Sequence, residues 1–157
     1  MVDNLVKILI ENNLTITTAE SCTGGLISSK IVDVPNASKV FNMGFVTYSN
    51  ESKEMLLGVS HETILKYGVV SEEVAKEMVI GACNKSGADV GIAVSGIAGP
   101  SGATLNKPVG MVCFGFKVLN NVYTKTMYFG NRGRNIVRND TVEYAIKYLV
   151  NLLEDLK

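Results

Sequence analysis

The chain has 157 residues, fifteen Lys+Arg against fifteen Asp+Glu, and 46% hydrophobic residues. This length suits one domain of roughly 100–200 residues. The apolar content excludes a disordered chain, and zero net charge argues against a non-specific nucleic-acid binder, which would carry a basic excess. Glycine occurs fifteen times, above the usual share of about 7%, so where the glycines fall is informative. Cys22, Cys83 and Cys113 are far apart, no CxxC pair exists and His61 is the one histidine. That is neither a disulfide framework nor a zinc site. Asp3 and Lys7 interrupt the amino-terminal apolar run, and no stretch approaches the roughly 18 apolar residues that span a bilayer. A soluble, reduced, cytoplasmic protein is expected, with no metal and no cofactor.

In chain order, residues 3–12 set Leu5, Ile8 and Leu9 on one face and predict an amphipathic helix. The β-branched run 14–20 predicts a strand, and the segment 21–25 interrupts it. A helix is expected over 26–34, stopped by Pro35-Asn36. Residues 40–48 predict a second strand. Asn50 is expected to cap a short helix ended by Gly58, and Ser60 another ended by Gly68. Ser71 opens a longer helix with a core face of Val74, Met78 and Ala82. The uniform apolar run 89–96 predicts a strand covered on both faces. A Gly/Pro-rich loop, 96–108, leads to two strands, 109–118 and 121–130, joined at Leu119-Asn120 as a hairpin. The chain closes with a helix over about 135–155. Alternating strands and helices followed by a late hairpin predict a three-layer α/β/α sandwich with a mixed, mostly parallel central sheet.

Four stretches carry chemistry. Ala19-Glu20-Ser21-Cys22-Thr23-Gly24-Gly25 lies where a strand ends and a helix starts, the place where α/β sheets bind ligands. Free amides there can hold an anion or a developing oxyanion, and Ser21 can be a nucleophile. The plain alternative is that Ser21 or Thr23 caps the helix. Cys22 is a rival nucleophile, but a catalytic cysteine wants a histidine partner; as a small buried hydrophobe it needs none. In Tyr48-Ser49-Asn50-Glu51-Ser52-Lys53, a lysine in the first helical turn opposes the helix dipole. That placement and burial both favour the neutral amine, which can serve a serine as general base. Tyr48 could pass or steady the proton. A solvated lysine is the alternative. The loop from Ser95 to Gly110 fits neither a Walker A nor a GxGxxG pattern, yet its glycines, Gly96 and Gly99 among them, can wrap a ligand with backbone amides. Arg132, Arg134 and Arg138 gather at the start of the last helix, either solvated or facing an anion such as phosphate.

These same motifs carry a resemblance. TTAESCTGG, F-x-x-G-F-V-T-Y-S-N-x-x-K over 41–53, YGVVSEEVAKEM, and VSGIAGPSG followed by KPVG resemble the C-terminal domain of the competence/damage-inducible CinA family, from about Leu14 to Leu153. The domain also occurs alone as nicotinamide-nucleotide amidohydrolase. The resemblance implies a metal-independent hydrolysis of the carboxamide of nicotinamide mononucleotide, giving nicotinic acid mononucleotide and ammonia in pyridine-nucleotide recycling. The family's serine falls on Ser21, and its tyrosine and lysine on Tyr48 and Lys53. Its arginine falls on Arg134 counting back from Val137-Arg138, or on Arg132 counting forward from Gly130, because the segment is two residues longer here than G-x-R-x-x-V-R. Ala103 stands where the family often has glycine. The amino-terminal domain of full-length CinA proteins is absent from the chain, which fits a stand-alone deamidase forming one domain over 1–157.

The sequence thus predicts catalytic Ser21, Tyr48 and Lys53. Substrate contacts are expected from Cys22, Thr23, Gly24, Gly25, Gly96, Gly99 and one of Arg132 and Arg134. A homo-oligomer taking a small nucleotide is expected, with neither nucleic acid nor membrane as partner. A non-catalytic nucleotide-sensing domain, and an amidase using Cys22 on another amide, are the competing readings.

Overall fold

Three strands of one direction organise the sheet. They are β1 (Ile16–Glu20), β2 (Phe45–Val46) and β3 (Val90–Gly96), in a computed structural model that describes residues 1–156. With β4 (Met111–Val118) and β5 (Asn121–Tyr128) they form a five-stranded sheet of order β2-β1-β3-β4-β5. The β1–β2 and β1–β3 pairs are parallel, and the β3–β4 and β4–β5 pairs antiparallel. Four of the five strands therefore point one way, and β4 is the exception. All five residues of β1 are buried, as in a strand covered on both faces.

Helices α1 (Val2–Glu11), α2 (Leu26–Val32) and α6 (Arg134–Glu154) cover one face. Helices α3 (Asn50–Leu57), α4 (His61–Tyr67) and α5 (Glu72–Ser86) cover the other. The chain leaves β1 in one direction through α2 to β2. It then crosses back over β1 through α5 to β3. Right-handed crossovers in opposite directions put their helices on opposite faces, and a crevice opens where they diverge, at the carboxyl ends of β1 and β3. Aromatic packing sets α6 over the sheet. Phe114 lies 4.9 Å from Tyr144 and Phe116 lies 4.7 Å from Tyr148, between ring centroids. That packing aims the first turns of α6, with Arg134 and Arg138, at the crevice.

Two expectations are corrected. The strand expected over 40–48 shrinks to Phe45–Val46 plus a single parallel bridge between Ile16 and Phe41. The Thr17 hydroxyl donates to the Met43 carbonyl at 2.8 Å, so a side chain takes the acceptor a longer ladder would use. The cap of α3 is Ser49, not Asn50: Ser49 Oγ accepts from the Ser52 amide at 3.0 Å. Ser60 holds the N-cap position of α4 without a side-chain cap bond; its amide donates to Glu77 Oε1 instead.

One glycine is required by close approach. A Cβ on Gly81 of α5 would lie 1.8 Å from the Leu57 carbonyl oxygen of α3. On propensity alone Gly→Ala in a helix gains about 1 kcal/mol, but overpacking against a backbone costs about 1–3 kcal/mol or more. Gly81→Ala is therefore expected to lower the unfolding free energy measured in urea by up to about 2 kcal/mol once the propensity gain is offset; a stabilised variant would contradict the contact.

Candidate active site

Ser21 follows directly on β1 and is 8% exposed at the crevice. The turn after it, Ser21 to Gly25, is built by the bond of the Gly24 amide to the Ser21 carbonyl, with Gly24 and Gly25 at φ of 58° and 105°. Such left-handed backbone is cheap only for glycine. The turn is held from two sides. Below it Glu20, fully buried, accepts from Thr23 Oγ1 and the Ile27 amide through one carboxylate oxygen. Its other oxygen accepts from the Ser28 amide and Ser28 Oγ. Above it Arg138 of α6 donates from Nε to the Cys22 carbonyl at 2.9 Å and from Nη2 to the Thr23 carbonyl at 3.1 Å. An internal carboxylate thus fills the N-terminus of α2, where the sequence suggested a site for substrate or oxyanion. The amides of Cys22 and Thr23 bond to no acceptor of another residue among the described residues.

Lys53, on α3, is fully buried, and its Nζ lies 3.1 Å from Ser21 Oγ. The same nitrogen donates to the Thr47 carbonyl at 2.6 Å and lies 3.3 and 3.4 Å from the carbonyls of Tyr48 and Ser49. Burial lowers its pKa from 10.5 to about 8, because desolvation penalises the ammonium. A neutral amine has two N–H bonds to give and one lone pair. Carbonyls satisfy the first, and the Ser21 hydroxyl can satisfy the second. Of the two causes the sequence suggests, helix dipole and burial, burial is the dominant one here. Cys22 is 5% exposed, and burial pushes its thiol up to about 12. It therefore stays protonated at neutral pH and is a poor nucleophile. His61 faces Glu54 on an exposed surface, away from the crevice.

A cavity of about 310 Å³ opens onto Ser21 and Lys53, within the usual size range of small-molecule sites. Gly96, Gly99 and Gly102 line it together with Val69 and Val70, which pack in one apolar cluster with Ile97 of the same loop. Arg134 closes the rim: Nη1 donates to the Gly99 carbonyl at 2.8 Å and Nη2 to Tyr48 Oη at 2.9 Å.

A serine against a buried lysine, with an arginine at the rim of the cavity above them, occurs on this topology. The sequence matches the family described as the CinA C-terminal domain over residues 1–153. The chain belongs to that family. The solved competence-damaged protein (CinA) superfamily protein from Escherichia coli is 36% identical, with a TM-score of 0.93 over 96% of this chain and 87% of that one. The competence/damage inducible protein from Agrobacterium tumefaciens is 40% identical, with a TM-score of 0.90 over 96% and 94%. A CinA-like protein of Kosmotoga olearia is 47% identical over 145 residues, 92% of this chain and 35% of that protein. The chain spans little more than a third of the length of the curated relatives it matches. The mixed α/β sandwich expected from the sequence is the fold of these CinA proteins.

Within this CinA-family domain the expected site residues separate. Ser21, Cys22, Lys53, Gly96, Gly99 and Arg134 come together around the cavity. Tyr48 joins them at the rim with its phenol turned outward; it is 62% exposed. Its hydroxyl meets Arg134, and only its backbone carbonyl meets Lys53. The phenol has no hydrogen bond to Lys53 or Ser21 among the described residues. Thr23, Gly24 and Gly25 shape the turn rather than line the cavity. Of the two arginines left open by the sequence, Arg134 lines the cavity, whereas Arg132 pairs with Asp140 at 2.8 Å and does not line it. Asn50, Ser95 and Ser101, which sequence reasoning passed over as site residues, also line the cavity. Among the described residues no group of three metal-ligating side chains occurs and no helix is long and apolar enough to cross a membrane.

Proposed function

We propose that this domain hydrolyses the carboxamide of nicotinamide mononucleotide to nicotinic acid mononucleotide and ammonia. The observation that carries the reading is the buried pair of Lys53 Nζ and Ser21 Oγ at 3.1 Å on the floor of a small cavity. Neutral Lys53 takes the Ser21 proton as Oγ attacks the carboxamide carbon. The amides of Cys22 and Thr23 receive the oxyanion, a role commonly worth about 10²–10³ in rate per donor. The tetrahedral intermediate collapses, the Lys53 ammonium returns its proton to the leaving nitrogen, and ammonia departs. Water then attacks the acyl-serine, giving its proton to Lys53, and Ser21 is regenerated with the product acid. Arg134 spans the rim with unused donors and suits the phosphate, and Tyr48 steadies it.

Incubation of the protein with nicotinamide mononucleotide should yield ammonia and the acid in equal amounts, and Cys22→Ala should keep the activity because the thiol stays protonated. Tight binding without ammonia release would instead favour a nucleotide sensor. Loss of activity in Cys22→Ala with full activity in Ser21→Ala would move the nucleophile to the thiol.

A further inference from the structure

The apolar part of the cavity lining, Val69 and Val70, has an unusual support. Tyr67 ends α4 and residues 68–70 lead on towards α5, and none of these four carbonyls meets a backbone amide among the described residues. Side chains accept the whole task. Lys107 Nζ donates to the carbonyls of Tyr67 and Val70, both at 2.6 Å. Ser71 Oγ donates to Gly68 at 2.8 Å and Ser95 Oγ to Val69 at 2.9 Å. Ser71 is local to the segment and Ser95 is fixed in β3. Lys107 alone reaches it from the 96–108 loop, whose other end, Gly96 to Gly102, lines the cavity. The ammonium stands where a structural cation would bridge two carbonyls, and charge-assisted bonds of this kind are about twice as strong as neutral ones. Nζ sits close over the turn: a Cβ on Gly68 would lie 2.6 Å from it. The residues it steadies, Val69 and Val70, give the cavity that holds Ser21 an apolar surface. A flat pyridine ring needs such a surface if its carboxamide is to be held at Ser21 Oγ.

We propose that Lys107 is a positioning residue, which by clamping the 67–70 segment sets the apolar wall against which the substrate's pyridine ring lies. This rests on the amidohydrolase reading for the identity of the ring, while the clamp is independent of it. The wall contacts the ring in the ground state and the transition state alike, so its loss acts on binding rather than on the chemical step. Titration calorimetry with nicotinamide mononucleotide and steady-state kinetics on wild type, Lys107→Met and Lys107→Arg test it. Lys107→Met is expected to weaken binding and raise KM about tenfold, with kcat changed by no more than about twofold and the pH profile unmoved. Lys107→Arg, which keeps donors for both carbonyls, should stay within about threefold of wild type. Amide exchange at residues 68–71 should quicken in Lys107→Met and not in Lys107→Arg. Unchanged affinity in Lys107→Met, or a fall in kcat at constant KM, overturns the proposal. If the methionine variant does not fold, Lys107→Gln, which keeps one donor, should show the KM change at smaller size, and a change confined to kcat overturns the proposal there too. Wild type that binds the nucleotide without releasing ammonia refutes the amidohydrolase reading and leaves the affinities to decide Lys107. Wild type that binds no nucleotide overturns both.

Discussion

Lys53→Met should reduce ammonia release by about 10²–10⁴-fold, the range of a lost general base, and Ser21→Ala at least as far, because the two act as a unit. The pH profile carries the sharper signature. The reactive form of Lys53 is the neutral amine. With its pKa lowered to about 8 by burial, roughly a tenth is neutral at pH 7 and nearly all at pH 10. The rate constant kcat/KM should therefore climb about tenfold per unit below pH 8 and level off above it. A profile flat from pH 6 to 10, or one falling through 8, would refute Lys53 as base. Stability gives a second reading that needs no substrate. The folded pKa of about 8 is below the ordinary value of 10.5, so the unfolded chain binds more protons between those two pH values. Wild-type stability then rises with pH across that window, and the cost of burying the ammonium, on the order of 3 kcal/mol, is fully present below it. Cys22 works in the opposite sense, since its pKa is raised from 9.0 to about 12: its contribution is present at low pH and fades as pH rises through that higher range. The difference between wild type and Lys53→Met isolates the lysine, and it should slope only between about pH 8 and 10.5. Parallel curves for the two proteins would contradict the burial.

What the sequence made legible follows from distance along the chain. Ser21 was readable because a β-branched run, a Ser-Cys-Thr-Gly-Gly turn and a helical pattern lie within a dozen residues, and the carboxyl end of a strand is where such folds place ligands. The Y-x4-K spacing suggested a lysine and a tyrosine working together, and the buried Lys53 does lie against Ser21. The spacing does not give the direction of the Tyr48 ring: its carbonyl meets Lys53 and its hydroxyl meets Arg134. The choice of Asn50 over Ser49 as the cap of α3 failed for a smaller reason, since both residue types cap well and only the register decides. Arg132 and Arg134 were inseparable by counting, because an insertion shows its length and not its position. The strand expected over 40–48 failed because Thr17, from another strand, removes the Met43 carbonyl from the ladder. Lys107 was beyond reach altogether. It acts on carbonyls 40 and 37 positions away, and no periodicity marks a side chain whose partners are backbone. Arg138 was noticed for its charge, yet its partners are the carbonyls of Cys22 and Thr23, more than a hundred residues earlier.

The same limit hid Glu20, which reads as the last residue of a strand and is the anchor of the turn that follows Ser21. Glu20→Gln should cost about 2 kcal/mol of folding stability and lower kcat by about ten- to a hundredfold with little change in KM. The carboxylate accepts four hydrogen bonds, two on each oxygen, in a place with no exposure to water. A glutamine offers one acceptor oxygen and one NH2 group. If the oxygen keeps Thr23 Oγ1 and the Ile27 amide, the NH2 faces the Ser28 amide donor to donor. Ser28 Oγ can rotate and accept, but the backbone amide cannot. One buried N–H is left without a partner, at about 1–3 kcal/mol. The reverse rotamer leaves Ile27 instead. No orientation restores the set, so the turn must shift, and Ser21, the next residue in the chain, shifts with it. Reactions that need two groups in near-attack geometry lose about 10²-fold for displacements near 1 Å, which is why kcat should fall under conditions where the variant is still folded. Glu20→Ala removes every acceptor and should cost more, about 3–5 kcal/mol. Urea unfolding and steady-state kinetics at a common pH decide the matter. A glutamine variant with wild-type midpoint and wild-type kcat would mean that the turn holds Ser21 without the carboxylate, and that Arg138 alone, from above, is sufficient.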